Sequence, residues 1–248
     1  MSPDARSPSR PKDFLVLTAA ISATVFIGFW FTYFEPMSKG DYPPASPAVH
    51  VHGWTFFAWY LLLPLQAVLV NRRQLALHRT LGTASITLAV LMVLTGLLVV
   101  GVQARAALDS PTPTFWTGTA PMIFATLMLF AVFYFMAWRD RKQRARHKRW
   151  IVVASAAGMG AAMFRIFMVT FGPQDWVVPA SILVTNLFIA AGMLVDRARG
   201  EQVQSPYLIG LVVCASTEFG VYILTPTPPG QGLMHTLAWI GRSFGFLY

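Results

Sequence analysis

LGTASITLAVLMVLTGLLVVGV, residues 81–102, is the stretch that determines which class of fold this chain can adopt. It contains no charged side chain. A helix rises about 1.5 Å per residue, so the stretch can cross the roughly 30 Å hydrocarbon core of a bilayer. It does not alternate with a period of two, and within lipid only helices or closed barrels satisfy their backbone hydrogen bonds. The stretch is therefore predicted to be a transmembrane helix.

Six further apolar runs of similar length lie on either side of it. They are Phe14–Phe34, Ala48–Val70, Thr117–Trp138, Trp150–Phe171, Val177–Val195 and Tyr207–Thr225. Short loops containing proline or glycine separate them. We predict an all-α, polytopic transmembrane helical bundle of seven spans in residues 14–225, after an N-terminal tail of residues 1–13. Residues 226–248 are predicted to form an outer-side loop and a short interfacial or re-entrant helix, Leu233–Tyr248, with an eighth span as the alternative.

The positive charge of the chain is unevenly distributed. The formal net charge is +9, which in a soluble protein would first suggest a nucleic-acid partner. Here fifteen Lys and Arg residues lie in the N-terminal tail or in alternate loops after it, whereas three lie in the remaining loops. Lys and Arg accumulate in cytoplasmic loops, so the N-terminus is predicted to be cytoplasmic. We expect the basic segment at residues 139–149 to contact anionic lipid headgroups at that face, and we expect no nucleic-acid partner.

Two charged residues lie inside predicted spans, Arg165 in the fifth and Glu218 in the seventh. Each lies about 9–10 Å from the outer end of its span. Charge within the hydrocarbon is costly and marks either a pair or a functional site. We predict that both face the bundle interior and pair, directly or through one further group. Two interpretations remain open: an ion pair that locks the helices, or a catalytic site in which Glu218 is a ligand or proton carrier and Arg165 its counter-charge.

Histidines near the outer end supply candidate ligands. His50 and His52 open the second run, His235 follows the seventh, and Tyr222 lies one turn from Glu218. Three imidazoles and a carboxylate can bind Zn, Fe or Cu, and two opposed imidazoles can bind the iron of haem b. His50 and His52 lie about 200° apart on a regular helix, so they share a site only if the first turn is frayed. The alternative is that these histidines are ordinary interfacial residues.

Cysteine content narrows the classes of site further. Cys214 is the only cysteine, which excludes a disulfide within the chain and a multi-cysteine metal cluster.

The four lysines, Lys12, Lys39, Lys142 and Lys148, all lie outside the predicted spans. A retinal protein is therefore excluded as well, because its Schiff base requires a lysine within the membrane.

Three stretches resemble a known group of sequences: HVHGWTFFAWYLLLPLQ, LALHRTLG and RHKRWIVVASAAGMGAAMFRI. They resemble an uncharacterised family of bacterial polytopic membrane proteins, over about residues 48–166. The pattern of that family falls on His50, His52, Gln66, His78, Arg79, His147 and Arg165. The resemblance implies a multi-pass protein of the bacterial cytoplasmic (inner) membrane, and it implies no established activity.

Two functions from different classes follow from these observations. The first is redox chemistry at a metal or haem centre near the periplasmic end, with His50, His52, His235 and Glu218 as metal ligands and Tyr222 as a further cofactor contact. The second is a non-catalytic accessory subunit that holds lipid or pigment and packs against other membrane subunits or a second copy of itself.

Overall fold

The computed structural model describes residues 12–110 and 119–244, and helices make up almost all of this part of the chain. The described part contains no strand. Its α-helices are α1 (Lys12–Phe29), α2 (Glu35–Lys39), α3 (Pro47–Asn71), α4 (Leu75–Asp109), α5 (Ala120–Arg139), α6 (Arg144–Gly158), α7 (Gly160–Phe171), α8 (Val177–Ala198), α9 (Ser205–Leu224) and α10 (Pro228–Ser243). Six helical segments are long and apolar enough to cross a membrane, and α6 with α7 would make a seventh if that bent pair is one span.

The outer surface of the bundle is apolar. Large hydrophobic side chains such as Val16, Leu61 and Leu194 are 62–68% exposed. A soluble protein rarely exposes extensive apolar patches, whereas lipid-facing helices do so as a rule. The fold is therefore that of a multi-pass membrane protein, as the hydropathy of the sequence predicts.

The helix that contains the opening stretch is longer than its apolar run. α4 has 35 residues and a length of about 52 Å, so it exceeds the thickness of the hydrocarbon core. α10 packs against the last two to three turns of α4 through Met234, Leu237 and Ala238. Gly101 and Gly241 form the closest point, and a Cβ atom on Gly101 would lie 2.7 Å from the Gly241 nitrogen.

The C-terminal helix begins earlier than predicted, at Pro228 rather than Leu233. Proline is favoured in the first turn of a helix, because its missing N–H has no partner to lose there. At the other end of α10, Arg242 forms an ion pair with Asp109 of α4 at 2.9 Å. The helix exposes His235 and Trp239 on the face that points away from α4.

The predicted fifth span, Trp150–Phe171, consists of two helices with a bend between them rather than one straight helix. α6 begins six residues before Trp150, and α6 and α7 meet at Met159 with a bend of 41°. The Met159 N–H donates to the carbonyl of Ala156, three residues back, at 3.2 Å. The carbonyl of Ser155 instead accepts a hydrogen bond from the Tyr60 hydroxyl of α3 at 2.8 Å.

Glycine is required beside this break. A Cβ atom on Gly158 would lie 2.9 Å from the Tyr60 hydroxyl oxygen and would displace it. Glycine also lowers the helix propensity of the segment Gly158–Gly160, so the chain bends where a hydroxyl from another helix replaces a missing backbone hydrogen bond.

Ion pairs join several helices at one end of the bundle, which we call the basic end and define by Asp13, Asp140, Arg149, Asp196 and Arg199. Arg149 is 1% exposed and donates to both carboxylate oxygens of Asp196 at 2.7 and 2.9 Å. Arg199 pairs with Asp13 at 2.7 Å. The N-terminal segment and the loops before α6 and after α8, which were predicted to share the cytoplasmic face, therefore lie together at one end of the bundle.

Asp140 organises the connection between α5 and α6 at the basic end. Its carboxylate accepts from Arg146 at 2.8 Å and from the Trp150 indole at 3.0 Å. The hydrogen bond from Arg146 holds the pKa of Asp140 below its usual value, so the carboxylate remains ionised at neutral pH.

Candidate functional site

A cavity of about 290 Å³ lies between α1, α3, α4, α5 and α7, in the half of the bundle away from the basic end. We call it the large cavity. Much of its wall is aromatic or aliphatic, and it includes Phe29, Phe56, Phe57 and Phe130. Its polar lining comes from Thr32, Tyr33, Tyr42, His52, Gln103, Thr126 and Arg165. No aspartate or glutamate lies among the described residues that line it.

A π-helical turn at Trp30–Phe34 shapes one wall of the large cavity. Such turns are rare and frequently occur at functional sites, because the extra residue redirects the side chains that follow. Here the turn contains Thr32 and Tyr33, and the Tyr33 hydroxyl lies 3.0 Å from His50 Nδ1. The ring of Tyr42, from the loop before α3, packs edge-on against Tyr33. Burial raises the pKa of Tyr42, so its hydroxyl remains a hydrogen-bond donor.

The two histidines of α3 point to different neighbours. His50 packs against Tyr33 of the π-helical turn and against Tyr42, whereas His52 Nδ1 lies 3.2 Å from the Thr95 hydroxyl of α4. A Cβ atom on Gly96 would lie 3.0 Å from the His52 ring, so glycine lets the imidazole lie against α4. α3 begins at Pro47, which makes the first turn regular rather than frayed. Of the three predicted histidine ligands, only His52 lines the large cavity.

Arg165 projects from α7 into the large cavity. Its guanidinium lies 4.4 Å above the Phe29 ring, and Nη1 donates to the carbonyl of Ala161 at 3.0 Å. The direction of α7, and with it the position of Arg165, follows from the bend at Met159.

A second, smaller cavity of about 50 Å³ adjoins the first. We call it the small cavity. Five residues line both cavities: Gln103, Ile123, Thr126, Ala161 and Arg165. Glu218 lines only the small cavity, is 1% exposed, and accepts a hydrogen bond from Asn186 Nδ2 at 2.6 Å. Arg165 and Glu218 therefore share one internal cavity, while the ion pair between them stays a prediction.

The other predicted site residues lie elsewhere. His235 is exposed on α10, and the Tyr222 hydroxyl donates to the carbonyl of Asp175 at 3.4 Å. Within residues 12–110 and 119–244, no three His, Cys, Asp or Glu side chains are grouped so that they could hold a metal ion. The metal or haem centre stays a prediction, and in this part of the chain its four ligands are not brought together.

Residues at the basic end account for part of the family-like pattern. In the orientation of the Gln66 amide that gives both its oxygen and its nitrogen a hydrogen-bond partner, the nitrogen donates to His78 Nδ1. The oxygen then accepts from the Gly82 N–H. His147 Nδ1 lies 2.9 Å from the carbonyl of Ala137 and connects α6 to α5. These three residues stabilise helix connections far from the cavities.

Sequence reasoning missed several lining residues. Tyr33 and Tyr42 were not singled out, and neither was Gln103, which directly follows an apolar run. The signal that could have found Gln103 is its depth, because it lies near the outer end of its span, as Arg165 and Glu218 do in theirs. Neither family models, nor curated proteins, nor solved structures match this chain.

Proposed function

We propose that this multi-pass membrane protein binds a small organic anion with an apolar body in the large cavity. Arg165 is the observation that supports this most, because it is a guanidinium in the lining of a cavity that contains no other Arg, Lys, Asp or Glu among the described residues and whose wall is largely aromatic or aliphatic. A guanidinium binds a carboxylate through two parallel hydrogen bonds, and these are strongest where water is excluded.

The other polar groups of the large cavity suit the same ligand. The hydroxyl of Tyr42 and the imidazole of His52 can donate hydrogen bonds to carboxylate oxygens. The rings of Phe29 and Phe57 offer apolar contact for the rest of the molecule. A volume of about 290 Å³ lies near the lower end of the range for small-molecule sites, which favours a single-ring ligand over a haem.

This proposal develops the accessory-subunit interpretation, in which the protein holds a ligand. The redox centre is a separate proposal, and the position of His52 in the large cavity is its remaining support. An absorption spectrum and metal analysis of the purified protein distinguish the two. Under anion binding we expect neither a Soret band nor stoichiometric metal.

We further propose that the basic end is cytoplasmic, that the membrane is the bacterial inner membrane, and that α6 and α7 complete seven spans. The excess of Lys and Arg at the basic end supports this orientation. We expect an alkaline phosphatase fused after residue 244 to be active and one fused after Gly200 to be inactive. The reverse pattern would rule out this orientation.

Binding of benzoate tests the anion site directly. We expect purified protein in nanodiscs to bind benzoate, measured by calorimetry, and to bind the uncharged benzamide much more weakly. Arg165→Gln should weaken benzoate binding by about ten- to a hundredfold, because a hydrogen bond to a charged group contributes roughly 1.5–3 kcal/mol. Arg165→Lys keeps the charge but loses the planar fork, so an intermediate loss is expected.

A matched control is available at the basic end. Arg141 is an exposed arginine that stacks on Trp138, and Arg141→Gln should leave benzoate binding unchanged. Thermal unfolding of each variant shows whether it is folded. Equal binding of benzoate and benzamide, or full binding by a folded Arg165→Gln variant, would refute the anion site.

A further inference from the structure

We propose that the anion enters the large cavity together with one proton, and that Glu218 carries this proton. The inference rests on the proposed anion-binding function and adds a coupled ion to it. It assigns the small cavity as a proton site next to the ligand site.

The first step is the shared wall between the two cavities. Arg165 lines both of them, whereas Glu218 lines the small cavity alone. Among the described lining residues these two are the only Asp, Glu, Lys or Arg side chains. With Glu218 ionised and no ligand bound, the two cavities together contain one positive and one negative charge.

The second step follows from Coulomb's law inside the bundle. A carboxylate bound beside Arg165 brings a second negative charge to a single guanidinium. An uncompensated charge in a low-dielectric interior is strongly unfavourable, so the site gains stability if one negative charge is removed. A proton taken up from the buffered solvent restores neutrality by forming an O–H bond on a Glu218 carboxylate oxygen, and the conjugate base of the buffer stays in solution.

The third step concerns the hydrogen-bond acceptors that are available to a protonated Glu218. A carboxylic acid has one O–H donor and needs an acceptor. Two buried oxygens of residues that line the small cavity, Gln103 Oε1 and Thr185 Oγ1, have no hydrogen-bond partner within the described part of the chain. Buried polar atoms are normally satisfied, so these oxygens fit the neutral acid or a water bound to it. Asn186 still donates to the other carboxylate oxygen.

Apart from Arg165, the titratable groups described near Glu218 do not line the small cavity. On α9 itself, Cys214 and Tyr222 lie one turn to either side of Glu218. The helices packed against α9 are α5, α6, α8 and α10. Their charged side chains lie at the basic end or on the exposed face of α10, as Arg139, Arg149, Asp196, His235 and Arg242 do. Tyr134 of α5 is titratable as well, and its hydroxyl forms a hydrogen bond with Ser85 of α4. Arg165 of α7 is thus the charged group that faces Glu218 across the small cavity.

Calorimetry of benzoate binding at pH 6, 7 and 8 tests the coupling. Titrations in two buffers with different ionisation enthalpies give the number of protons taken up. Where Glu218 is ionised in the free protein, we expect wild type to take up about one proton per benzoate, and its Kd to rise by about tenfold per pH unit. Glu218→Gln should bind benzoate with a Kd that is flat across this range and with uptake near zero. Cys214→Ala is the control, and its proton uptake should equal that of wild type.

Infrared difference spectroscopy on wild-type protein gives a second readout that needs no variant to fold. Addition of benzoate should produce the C=O band of a newly protonated carboxylic acid. Benzoate binding without proton uptake, uptake that persists in Glu218→Gln, or a dependence on Na⁺ in place of pH would overturn the coupling and leave the anion site standing. If wild type binds no benzoate at all, the proposed function fails, and the coupling fails with it.

Discussion

Arg149→Met is expected to lower the free energy of unfolding by about 3–5 kcal/mol, the largest loss that we expect from a single substitution in this chain. Arg149 is 1% exposed and donates to both oxygens of Asp196 and to Glu201. Methionine has a similar volume but no charge, so Asp196 would remain buried without its cation. Thermal unfolding in detergent, followed by circular dichroism, measures the change.

Two further variants separate loss of the ion pair from loss of packing. Arg149→Met combined with Asp196→Leu removes both charges and should recover much of the stability, because no charge is then left buried alone. Arg141→Met changes an exposed arginine and should shift the free energy of unfolding by less than about 1 kcal/mol. A double variant as unstable as Arg149→Met alone would contradict this explanation.

Gly101→Leu is expected to detach α10 from α4. A Cβ atom at residue 101 would lie 2.7 Å from the nitrogen and 2.9 Å from the Cα of Gly241, and backbone atoms cannot rotate away. The two helices must therefore separate, which exposes Met234 and Leu237. With Met234→Cys as a reporter in a Cys214→Ala background, the rate of maleimide labelling should rise by about tenfold or more.

The control for this experiment lies in the same helix. A Cβ atom on Gly82 would meet nothing within 4 Å, so Gly82→Leu should leave both the labelling rate and the fold unchanged. Equal labelling rates for Gly101→Leu and the parent protein would show that α10 does not depend on the glycine contact.

Hydropathy predicts most of the fold, because crossing a bilayer requires about twenty apolar residues and little else. The bend between α6 and α7 could not be predicted in the same way. Gly158 and Gly160 weaken the helix, but the bend depends on the Tyr60 hydroxyl, and Tyr60 lies almost one hundred residues earlier in the chain. The local sequence shows where helix propensity is low, but contacts with a neighbouring helix determine whether the helix bends there.

The candidate site is predictable to a similar, limited extent. Arg165 and Glu218 were found because charge within a span is costly, and both line the small cavity. His50, His52 and His235 were grouped as ligands because all three were expected at a similar depth in the membrane. Depth alone does not determine which neighbouring side chain a residue contacts. On regular α3, His50 turns to Tyr33 and His52 turns to Thr95. Contacts of this kind depend on how the helices are arranged around one another, which single-sequence periodicity does not contain.

The hydrogen bond from Tyr60 to Ser155 has a mechanical consequence for the large cavity. Tyr60 and His52 belong to the same continuous helix, α3. The hydrogen bond from Tyr60 to Ser155 lies next to the bend from which α7 extends. A displacement of α3 along its axis would carry the imidazole wall with it and would redirect the guanidinium of Arg165 in the same movement. We therefore expect His52 and Arg165, on two walls of the large cavity, to change position together when the angle at Met159 changes.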